Sequence, residues 1–475
     1  MSKTILSKDG YLIYKKKIDK LQLINIKNEL TVEPHVFNVN YGQKKEDTSF
    51  TVYRETDEYL SVPKYYGIEK MGKPDINNEI SGESIDINFT GSLRDEQIEI
   101  INNVLPKIVN NDGGLICIGC GKGKTVLGLN IAVQLKVKTL IIVHKTFLMN
   151  QWIERIKQFT NAKVGIIQQK KIQIEGNQIV IGMLQSIAKE KYDPDIFRDF
   201  GLVIFDEAHH APSKYFSRSL PLINCKKTLA LSATPKRNDK LEKVLHWYFG
   251  PIIYKSDDEI NTNVLTKIYK YNLIHEKYYE KKQKFTGEVN RAGTISNIVT
   301  IGRRNKFIVD IIENILIDNN RKILVLSERI NHLELLKNRL DEREITTTGS
   351  YIGGMKQIKL DESAKCQVIF GTYHMASEAL DIKGLNTLIM ASPRREIEQA
   401  VGRITRDPNT TVQPLVIDII DGLNSFENQS FFRRKYYQKN EFQIMFYEVV
   451  ENKIISEKNI SKCPIKVETV IEFID

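Results

Sequence analysis

The sequence is poor in cysteine and in long apolar runs. Its 475 residues include five scattered cysteines, which favour free thiols over a disulfide framework and hence a reducing, intracellular setting. Cys117 and Cys120 have the spacing of zinc ligands, but no second pair accompanies them, which disfavours a zinc site. No run approaches the roughly 18 apolar residues of a membrane-spanning helix, so we expect a soluble protein without a membrane partner. The first residues soon become polar and charged, and we expect no secretory signal.

The chain carries an excess of positive charge. The formal net charge is +10 and the isoelectric point is about 9.0. Basic clusters occur at residues 15–17, 281–282, 303–304 and 433–435. Each cluster alone is typical of a solvated face, but together they indicate a polyanionic partner such as nucleic acid.

The length of the chain predicts roughly two to four domains. Residues 1–88 have no nucleotide-binding motif and alternate apolar with polar side chains at residues 37–41 and 50–52. This alternation predicts a small β-containing accessory domain. Binding nucleic acid, binding a partner and plain packing are three open roles for it.

A glycine-rich turn between an apolar strand and a helix is the feature that organises the rest. Residues 115–118 are apolar, and the turn after them ends in Lys124 and Thr125. Backbone N–H groups of such a turn can close on phosphate oxygens, the lysine can reach the β- and γ-phosphates, and the threonine can bind Mg²⁺. The candidate nucleotide-binding residues are Cys120, Gly121, Lys122, Gly123, Lys124 and Thr125. Ile118 occupies the first glycine position of the strict pattern, so a turn without a ligand is the alternative.

Downstream of this turn, buried-strand patterns alternate with helical patterns. The strands are predicted at residues 139–143, 179–181, 202–205 and 228–231, which is typical of a parallel α/β sheet. Leu148, Trp152 and Ile156 recur at helical spacing, and we expect them in the core. Gln97, which precedes the turn, has the amide donor and acceptor that suit adenine, although an exposed glutamine is the alternative.

The predicted strand at residues 202–205 runs into Asp206 and Glu207. It delivers Asp206 to the phosphate turn, where the carboxylate can hold the Mg²⁺ bound by Thr125, and Glu207 can polarise the attacking water. An acidic turn without a ligand is the alternative. Ser232 and Thr234, at the end of the next strand, are expected to hydrogen-bond toward His209.

Ligands of parallel sheets bind beyond the carboxyl ends of the strands. On this ground the candidate contacts to a bound nucleic-acid strand are His144, Lys145, Thr146 and Gly182, and in the second domain Ser327, Gly371 and Thr372.

Residues 261–300 interleave basic and aromatic side chains, and we interpret them as a connector or helical insertion. Such side chains can stack on bases, with a solvated helix as the alternative. Apolar strands at residues 323–326, 368–370 and 388–390 then predict a second α/β domain over residues 301–440, followed by a tail at 441–475.

Gln399, Arg403 and Arg406 are spaced four and three apart, so they project from one helix face of the second domain. That domain has no phosphate turn of its own. The arrangement therefore predicts ATP shared by the two domains, with Arg403 and Arg406 as arginine fingers that accelerate phosphoryl transfer by about 10³- to 10⁵-fold.

The phosphate turn, the Asp-Glu-Ala-His run at residues 206–209 and the run from Gln399 to Arg406 occur in an order that resembles superfamily-two helicases and translocases over residues 89–425. Leu93 with Arg94, Gln151 with Trp152, and Arg304 with Asn305 are similar to the branch containing XPB, the phage UvsW helicase and the poxvirus transcript-release helicase. The resemblance implies tandem RecA-like domains at residues 89–260 and 301–440, ATP and Mg²⁺ as cofactors, and Asp381 as a nucleotide contact. It also implies ATP-dependent movement on duplex DNA.

Departures from the family pattern refine this expectation. Thr405 replaces a glycine common in RNA-directed members, which favours DNA over RNA, and Ala400 replaces an arginine of many relatives. Residues 237–239 read Arg-Asn-Asp instead of the Arg-Glu-Asp of the XPB group, so the strand-opening role of that triplet is not carried over. The resemblance and the abundance of Ile, Lys and Asn favour a large DNA virus as the source, with the host cytoplasm or the virion as location.

We therefore expect a monomeric ATP hydrolase that moves along nucleic acid, mainly DNA, in viral transcription, repair or replication, with transcription machinery as a candidate partner. The alternatives are a nucleic-acid-binding clamp or scaffold without productive unwinding, an RNA helicase, and a duplex translocase that opens no base pairs.

Overall fold

The computed structural model describes residues 3–34, 48–119, 122–233, 239–256, 263–378, 382–405 and 411–461. The chain divides into two compact units, Met1–Asp258 and Glu259–Asp475. Within the described ranges, no helix is long and apolar enough to cross a membrane.

The first unit begins with short strands and two helices. These elements are β1 (Thr4–Ser7), β2 (Gly10–Tyr14), α1 (Lys20–Glu29), β3 (Thr31–Val32), β4 (Phe50–Thr51), β5 (Arg54–Glu55), β6 (Tyr59–Val62), α2 (Lys64–Met71) and β7 (Ile76–Asn77). Strands β5, β6, β2, β1 and β7 pair in that order.

The first unit continues as alternating strands and helices. These are α3 (Asp95–Asn111), β8 (Gly113–Cys117), α4 (Lys124–Leu135), β9 (Thr139–Val143), α5 (Thr146–Phe159), β10 (Val164–Gln168), β11 (Lys171–Ile172), β12 (Ile179–Met183), α6 (Leu184–Lys189), β13 (Leu202–Asp206), β14 (Lys227–Ser232), α7 (Glu242–Phe249) and β15 (Ile252–Lys255).

The sheet of this region has the strand order β11-β10-β12-β9-β13-β14-β8-β15. Across the sheet, every pair of neighbouring strands from β10 to β15 is parallel, and the edge strand β11 is antiparallel to β10. Strands β8, β9, β12 and β13 are buried along their whole length, as parallel strands covered on both faces must be. Strand β14 lies between β8 and β13, so the phosphate turn and the Asp-Glu run leave the same edge of the sheet.

The N-terminal residues share a core with this α/β sheet. Leu6 and Tyr11 belong to the same buried cluster as Phe205. The Tyr248 hydroxyl donates to the Val52 carbonyl at 3.2 Å, and the buried Lys64 Nζ donates to the Lys226 carbonyl at 3.0 Å. The predicted β-containing region is therefore present, but no break in packing occurs at residue 88; residues 37–41 lie outside the described ranges.

The second unit is also a parallel α/β sheet. Its elements are β16 (Leu265–Asn272), α8 (Arg291–Ile298), α9 (Gly302–Leu316), β17 (Ile323–Ser327), α10 (Ile330–Asp341), β18 (Thr348–Tyr351), α11 (Gln357–Ser363), β19 (Val368–Thr372), α12 (Tyr373–Glu378), β20 (Thr387–Met390), α13 (Glu398–Ile404), β21 (Leu415–Asp421), α14 (Asn424–Lys439), β22 (Gln443–Val450) and β23 (Lys453–Asn459). The strand order is β18-β19-β17-β20-β21-β16-β22-β23, with β23 antiparallel to β22. The predicted α/β class is confirmed in both units.

Two predictions for this unit are wrong. Residues 265–272, expected in a helical connector, form β16 between β21 and β22. The tyrosine Tyr269 stacks on Tyr447 with ring centroids 4.8 Å apart, so tertiary packing overrides the charged character of the segment. Residues 443–459, expected in a tail, form β22 and β23 of the same sheet.

Candidate functional site

The phosphate turn joins the buried strand β8 to the first residue of α4, which is Lys124. Gly123 precedes the helix with φ +79°, a left-handed conformation that glycine adopts without strain. Thr125 lies half-buried in the first helical turn, where the helix dipole favours an anion. The predicted contacts Cys120 and Gly121 lie outside the described residues.

Gln97 braces this turn. Its side chain is buried, so the alternative of an exposed glutamine is wrong. The amide Oε1 accepts a hydrogen bond from the Arg94 backbone N–H at 3.0 Å, and Nε2 donates to the Lys122 carbonyl at 3.3 Å. The adenine contact stays a prediction, and the contacts present tie α3 to the phosphate turn.

Lys124 and Glu207 meet at the edge of the sheet. The lysine Nζ lies 3.5 Å from the glutamate Oε1. Burial opposes ionisation of Glu207, but the charges of Lys124 and His209 outweigh it and hold the carboxyl pKa below its ordinary value. Glu207 also has φ +48°, a left-handed conformation that is strained for a side chain with a Cβ and is typical of functional sites. The structure thus places an ionised carboxylate beside the lysine of the phosphate turn.

Asp206 ends β13 and is buried. Its Oδ2 accepts a hydrogen bond from Trp152 Nε1 at 2.8 Å, and its Oδ1 accepts one from the Glu207 backbone N–H at 3.0 Å. Burial, followed by the neighbouring charge of Glu207, raises the pKa of Asp206. A carboxylate so destabilised by burial is stabilised by a bound cation, and an oxygen donor suits Mg²⁺.

The described residues contain no group of three or more His, Cys, Asp or Glu side chains that could hold a metal ion. A magnesium site takes most of its ligands from phosphate oxygens and water, with one carboxylate and one hydroxyl from the protein.

A row of histidines extends from Glu207 to the end of β9. His209 Nδ1 lies 3.3 Å from Glu207 Oε2 and 3.2 Å from Ser232 Oγ, which confirms the predicted link between Ser232 and His209. The ring of His210 lies 4.2 Å from that of His209 and 4.0 Å from that of His144. Thr234 lies outside the described residues.

His144 corrects one expectation. The side chain is buried, and burial lowers its pKa to about 4. A neutral ring packed on His210 beside the hydrolytic carboxylates has no exposed surface for a nucleic-acid strand. The prediction of a direct contact by this side chain is therefore wrong, because the ring is buried against His210.

The neighbouring candidates in the first unit differ in exposure. Lys145 precedes α5 and is half-buried, which lowers its pKa to about 8, and Thr146 is exposed. Gly182 lies inside the sheet, where β12 pairs with β10 on one side and β9 on the other. A Cβ at Gly182 would approach the Ile187 side chain to 2.8 Å. The prediction for Gly182 is wrong, because this glycine serves packing inside the sheet.

Two of the strand-end candidates in the second unit are also buried. Ser327 is fully buried, and its Oγ hydrogen-bonds with His332 Nδ1 at 2.9 Å. Gly371 is buried in β19, which pairs with β17 and β18. Neither can contact a strand directly, so both predictions are wrong. Thr372 is half-buried at the end of β19, and its Oγ1 accepts a hydrogen bond from the Met375 N–H at 3.3 Å.

The predicted arginine-finger helix is α13. Gln399 is half-buried, and Arg403 is buried with its Nε donating to the Ala376 carbonyl of α12 at 2.7 Å. Arg406 and Asp381 lie outside the described residues.

Sequence reasoning missed the contacts that support these groups. Trp152 was expected in the core, but its hydrogen bond to Asp206 was not foreseen. Arg304 forms a fully buried bidentate ion pair with Asp421, with Nε–Oδ1 at 2.7 Å and Nη2–Oδ2 at 2.8 Å. The signal that could have suggested it is the presence of two aspartates, Asp418 and Asp421, in the otherwise apolar strand β21, since a buried charge requires a partner.

The sequence is similar to a family model and to a viral protein. The family model described as "Type III restriction enzyme, res subunit" matches residues 90–237. A protein of Acanthamoeba polyphaga mimivirus named "Putative ATP-dependent RNA helicase L396" is 40% identical over 459 residues, which cover 95% of this chain and 88% of the relative.

Solved structures show the same fold. S. cerevisiae Dbp5 bound to RNA and ADP BeF3 matches with a TM-score of 0.52 at 12% identity, over 74% of this chain and 90% of that chain. The ATP-dependent Type ISP restriction-modification enzyme LlaBIII bound to DNA matches with a TM-score of 0.51 at 17% identity, over 74% of this chain and 30% of that chain. The two units are RecA-like, as predicted. The chain belongs to the superfamily-two helicases, and it is an ATP-dependent, nucleic-acid-binding hydrolase of that family.

Proposed function

We propose that this helicase couples hydrolysis of magnesium-bound ATP to movement along nucleic acid, with DNA as the preferred substrate. The observation that carries the proposal is the 3.5 Å approach of Lys124 Nζ to Glu207 Oε1 at the edge of the first sheet. A cation for the phosphates and a carboxylate for the attacking water are the two groups that ATP hydrolysis requires from this edge.

Each residue of this edge has a role in the proposal. Lys124 binds the β- and γ-phosphates, and the turn that includes Cys120, Gly121, Lys122 and Gly123 supplies backbone N–H groups. Glu207 orients and deprotonates the attacking water. Thr125 and Asp206 hold Mg²⁺, which supplies charge neutralisation to the phosphates when bound. Gln97, already hydrogen-bonded to this turn, contacts the adenine.

The second unit contributes positive charge to the same reaction in this proposal. Arg403 and Arg406 stabilise the charge on the transferred phosphoryl group, and Gln399 and Asp381 assist in binding. The Arg403 Nε donates to the Ala376 carbonyl at 2.7 Å, which fixes the side chain within the second unit. Such a group is worth about 4 to 7 kcal/mol of barrier.

Lys145, Thr146 and Thr372 are the members of the predicted nucleic-acid interface that keep exposed surface at strand ends. A net charge of +10 supports a polyanionic substrate. Thr405, in place of the glycine of RNA-directed relatives, supports DNA. Release of transcripts, repair and replication are the processes that such a motor serves.

RNA is the second candidate substrate, favoured by the name of the mimivirus relative, which specifies an RNA helicase. A clamp without turnover is less well supported, because a scaffold does not need Lys124 and Glu207 together. A duplex translocase that opens no base pairs shares the same ATP chemistry.

The test is the ATP turnover rate with single-stranded DNA, duplex DNA and RNA in parallel, together with strand displacement and triplex displacement. We expect DNA to stimulate turnover more than RNA does, and the stimulation to fall steeply as salt rises because phosphate contacts release counterions. Stronger stimulation by RNA would overturn the DNA preference. Turnover that no nucleic acid changes would overturn the motor itself, and triplex displacement without strand displacement would identify a translocase.

A further inference from the structure

The segment between β16 and α8 carries the most exposed aromatic side chain of the described residues. Phe285 is 96% exposed, and residues 281–289 are exposed throughout. A large apolar ring in water has an unfavourable hydration free energy. The Phe285 ring therefore does not stabilise the second unit by burial. A ring held in water by an ordered backbone is an indication of a binding role.

This segment is an ordered hairpin, defined here as residues 281–290. Lys282 and Val289 pair antiparallel. The Gln283 N–H donates to the Glu288 carbonyl at 2.7 Å, and the Gly287 N–H donates back to the Gln283 carbonyl at 3.1 Å. Gly287 has φ +71°, which permits the turn. Phe285 lies at the tip of this turn.

The base of the hairpin is fixed to the core of the second unit. The Lys281 N–H donates to Oγ1 of the fully buried Thr294 at 2.9 Å, and the Asn290 N–H donates to the Lys281 carbonyl at 2.6 Å. Just before the hairpin, the Tyr278 hydroxyl accepts a hydrogen bond from the Gly422 N–H at 2.8 Å. These contacts hold the tip in a defined position, which lowers the entropy cost of using it.

Its position is at the carboxyl edge of the second sheet. Arg291, directly after the hairpin, donates from Nη2 to Glu328 Oε1 at 2.9 Å, and Glu328 follows β17. Arg329 Nη2 donates to the Ala292 carbonyl at 2.9 Å, which ties α8 to the same strand end. The hairpin is thus anchored at the edge where Thr372 lies, since β17 and β19 pair through Ser327 and Thr372.

The charge around the tip selects the ligand. Lys281, Lys282 and Lys284 flank the ring, against one glutamate, Glu288, within the hairpin. An exposed aromatic ring between lysines offers stacking to a base and ion pairing to the adjoining phosphates, the combination that binds single-stranded nucleic acid. An acidic protein partner would use the lysines but would not require an aromatic ring at the tip.

We propose that hairpin 281–290 is a stacking element that contacts the bound nucleic-acid strand, with Phe285 on a base and the lysines on phosphates. This inference rests on the proposed function, because it places one contact of the motor on its substrate. The occupant is an unpaired base or the terminal base pair at a fork, which present the same flat surface.

The test compares the full chain with Phe285→Ala, Phe285→Trp and Phe285→Leu, and with Ile317→Ala as a matched control at another exposed apolar residue, 74% exposed. Affinity is measured for single-stranded DNA, for RNA and for a forked duplex, each carrying 2-aminopurine, whose fluorescence is quenched by stacking. ATP turnover without nucleic acid is the readout of intact folding.

Phe285→Ala is expected to weaken binding about 5- to 150-fold and to remove the quenching, with basal turnover unchanged. Phe285→Trp should retain both the affinity and the quenching of the unaltered chain, and Phe285→Leu should lose both. Quenching in single strands or at the fork identifies the base that stacks. Replacing the three lysines by glutamine should reduce the slope of log affinity against log salt by about 2.

The outcomes separate the two proposals. If the unaltered chain shows no turnover dependent on nucleic acid, the proposed function fails. If turnover depends on nucleic acid but Phe285→Ala binds like Ile317→Ala, the hairpin has no stacking role. Restoration by leucine would also overturn stacking, because leucine provides apolar surface without a flat ring.

Discussion

The indole Nε1 of Trp152 donates a hydrogen bond to Oδ2 of Asp206 at 2.8 Å. Trp152 is fully buried in α5, and Asp206 ends β13. The bond fixes the orientation of the carboxylate that we assign to Mg²⁺, so a residue of the apolar core positions a ligand of the metal.

Replacing this tryptophan tests that relationship. Trp152→Phe is expected to raise the Mg²⁺ concentration needed for half-maximal ATP turnover about 10- to 100-fold, because an outer-sphere hydrogen bond to a ligand is lost. The chain has two tryptophans, and Trp247→Phe is the control because Trp247 packs on Tyr66. An unchanged Mg²⁺ requirement in Trp152→Phe, with both proteins folded, would remove Trp152 from the site.

Gly123 is required for space as well as for conformation. A Cβ there would lie 2.3 Å from Gln97 Nε2, whereas a Cβ at Gly176, which also has positive φ, would meet nothing within 4 Å. We expect Gly123→Ala and Gly176→Ala to lower the free energy of unfolding by about 1 kcal/mol each through backbone strain. Only Gly123→Ala should weaken ATP binding, measured by titration calorimetry. Equal ATP affinity in both variants would contradict the bracing role of Gln97.

The ion pair of Arg304 and Asp421 is expected to control the stability of the second unit. Asp421→Asn leaves a fully buried guanidinium without its counter-charge and should lower the free energy of unfolding by about 3 to 5 kcal/mol. Arg343→Ala, which removes a partly exposed pair with Asp310 and Glu313, should cost no more than about 1 kcal/mol. The free energy of unfolding of the two variants is measured by urea denaturation. Equal decreases in the two variants would show that the buried Arg304 pair contributes no more to stability than the partly exposed one.

His332 is expected to make the second unit sensitive to acid. Burial, followed by the charge of Arg304, lowers the His332 pKa well below its ordinary value of 6.5. Its Nε2 lies 3.0 Å from Asn305 Oδ1, and the Asn305 amide Nδ2 donates to the Val299 carbonyl, so the neutral ring carries its proton on Nε2.

The sign of the pH effect follows from this shift. Below pH about 6.5 the unfolded chain binds a proton that the folded state excludes, so the free energy of unfolding should fall by up to about 1.4 kcal/mol per pH unit. His332→Gln should flatten that dependence. Both tryptophans lie in the first unit, so their fluorescence does not report on the second unit. The free energy of unfolding is therefore measured by denaturation followed by circular dichroism, between pH 7 and pH 5. A slope that is the same in the variant would contradict the neutral, buried ring.

The sequence predicts well those parts of the fold in which one local pattern determines the secondary structure. The fully buried strand at Thr139–Val143 was predicted at its observed bounds, and a helix, α4, follows the phosphate turn as expected. The strand β16 was not predicted, because Lys267 and Lys270 give the segment a charged composition and its partner strand β22 lies far along the chain.

The same distinction holds for the site. Lys124, Asp206 and Glu207 belong to motifs that are contiguous in sequence, and the structure gathers Lys124 and Glu207 as expected. His144, Gly182 and Ser327 failed as surface contacts, because burial at a strand end depends on the elements packed over it. No local pattern in the sequence reports that packing.

The most direct test of the account is ATP turnover by Lys124→Ala and Glu207→Gln, with and without nucleic acid. Lys157→Ala and Glu154→Gln, on the exposed face of α5, are the matched controls. We predict that Lys124→Ala loses at least about 10²-fold in turnover and that Glu207→Gln loses about 10²- to 10⁴-fold while still binding ATP, with both controls unchanged. Turnover in either site variant equal to that of its control would contradict the assignment of the Lys124 and Glu207 pair as the hydrolytic centre.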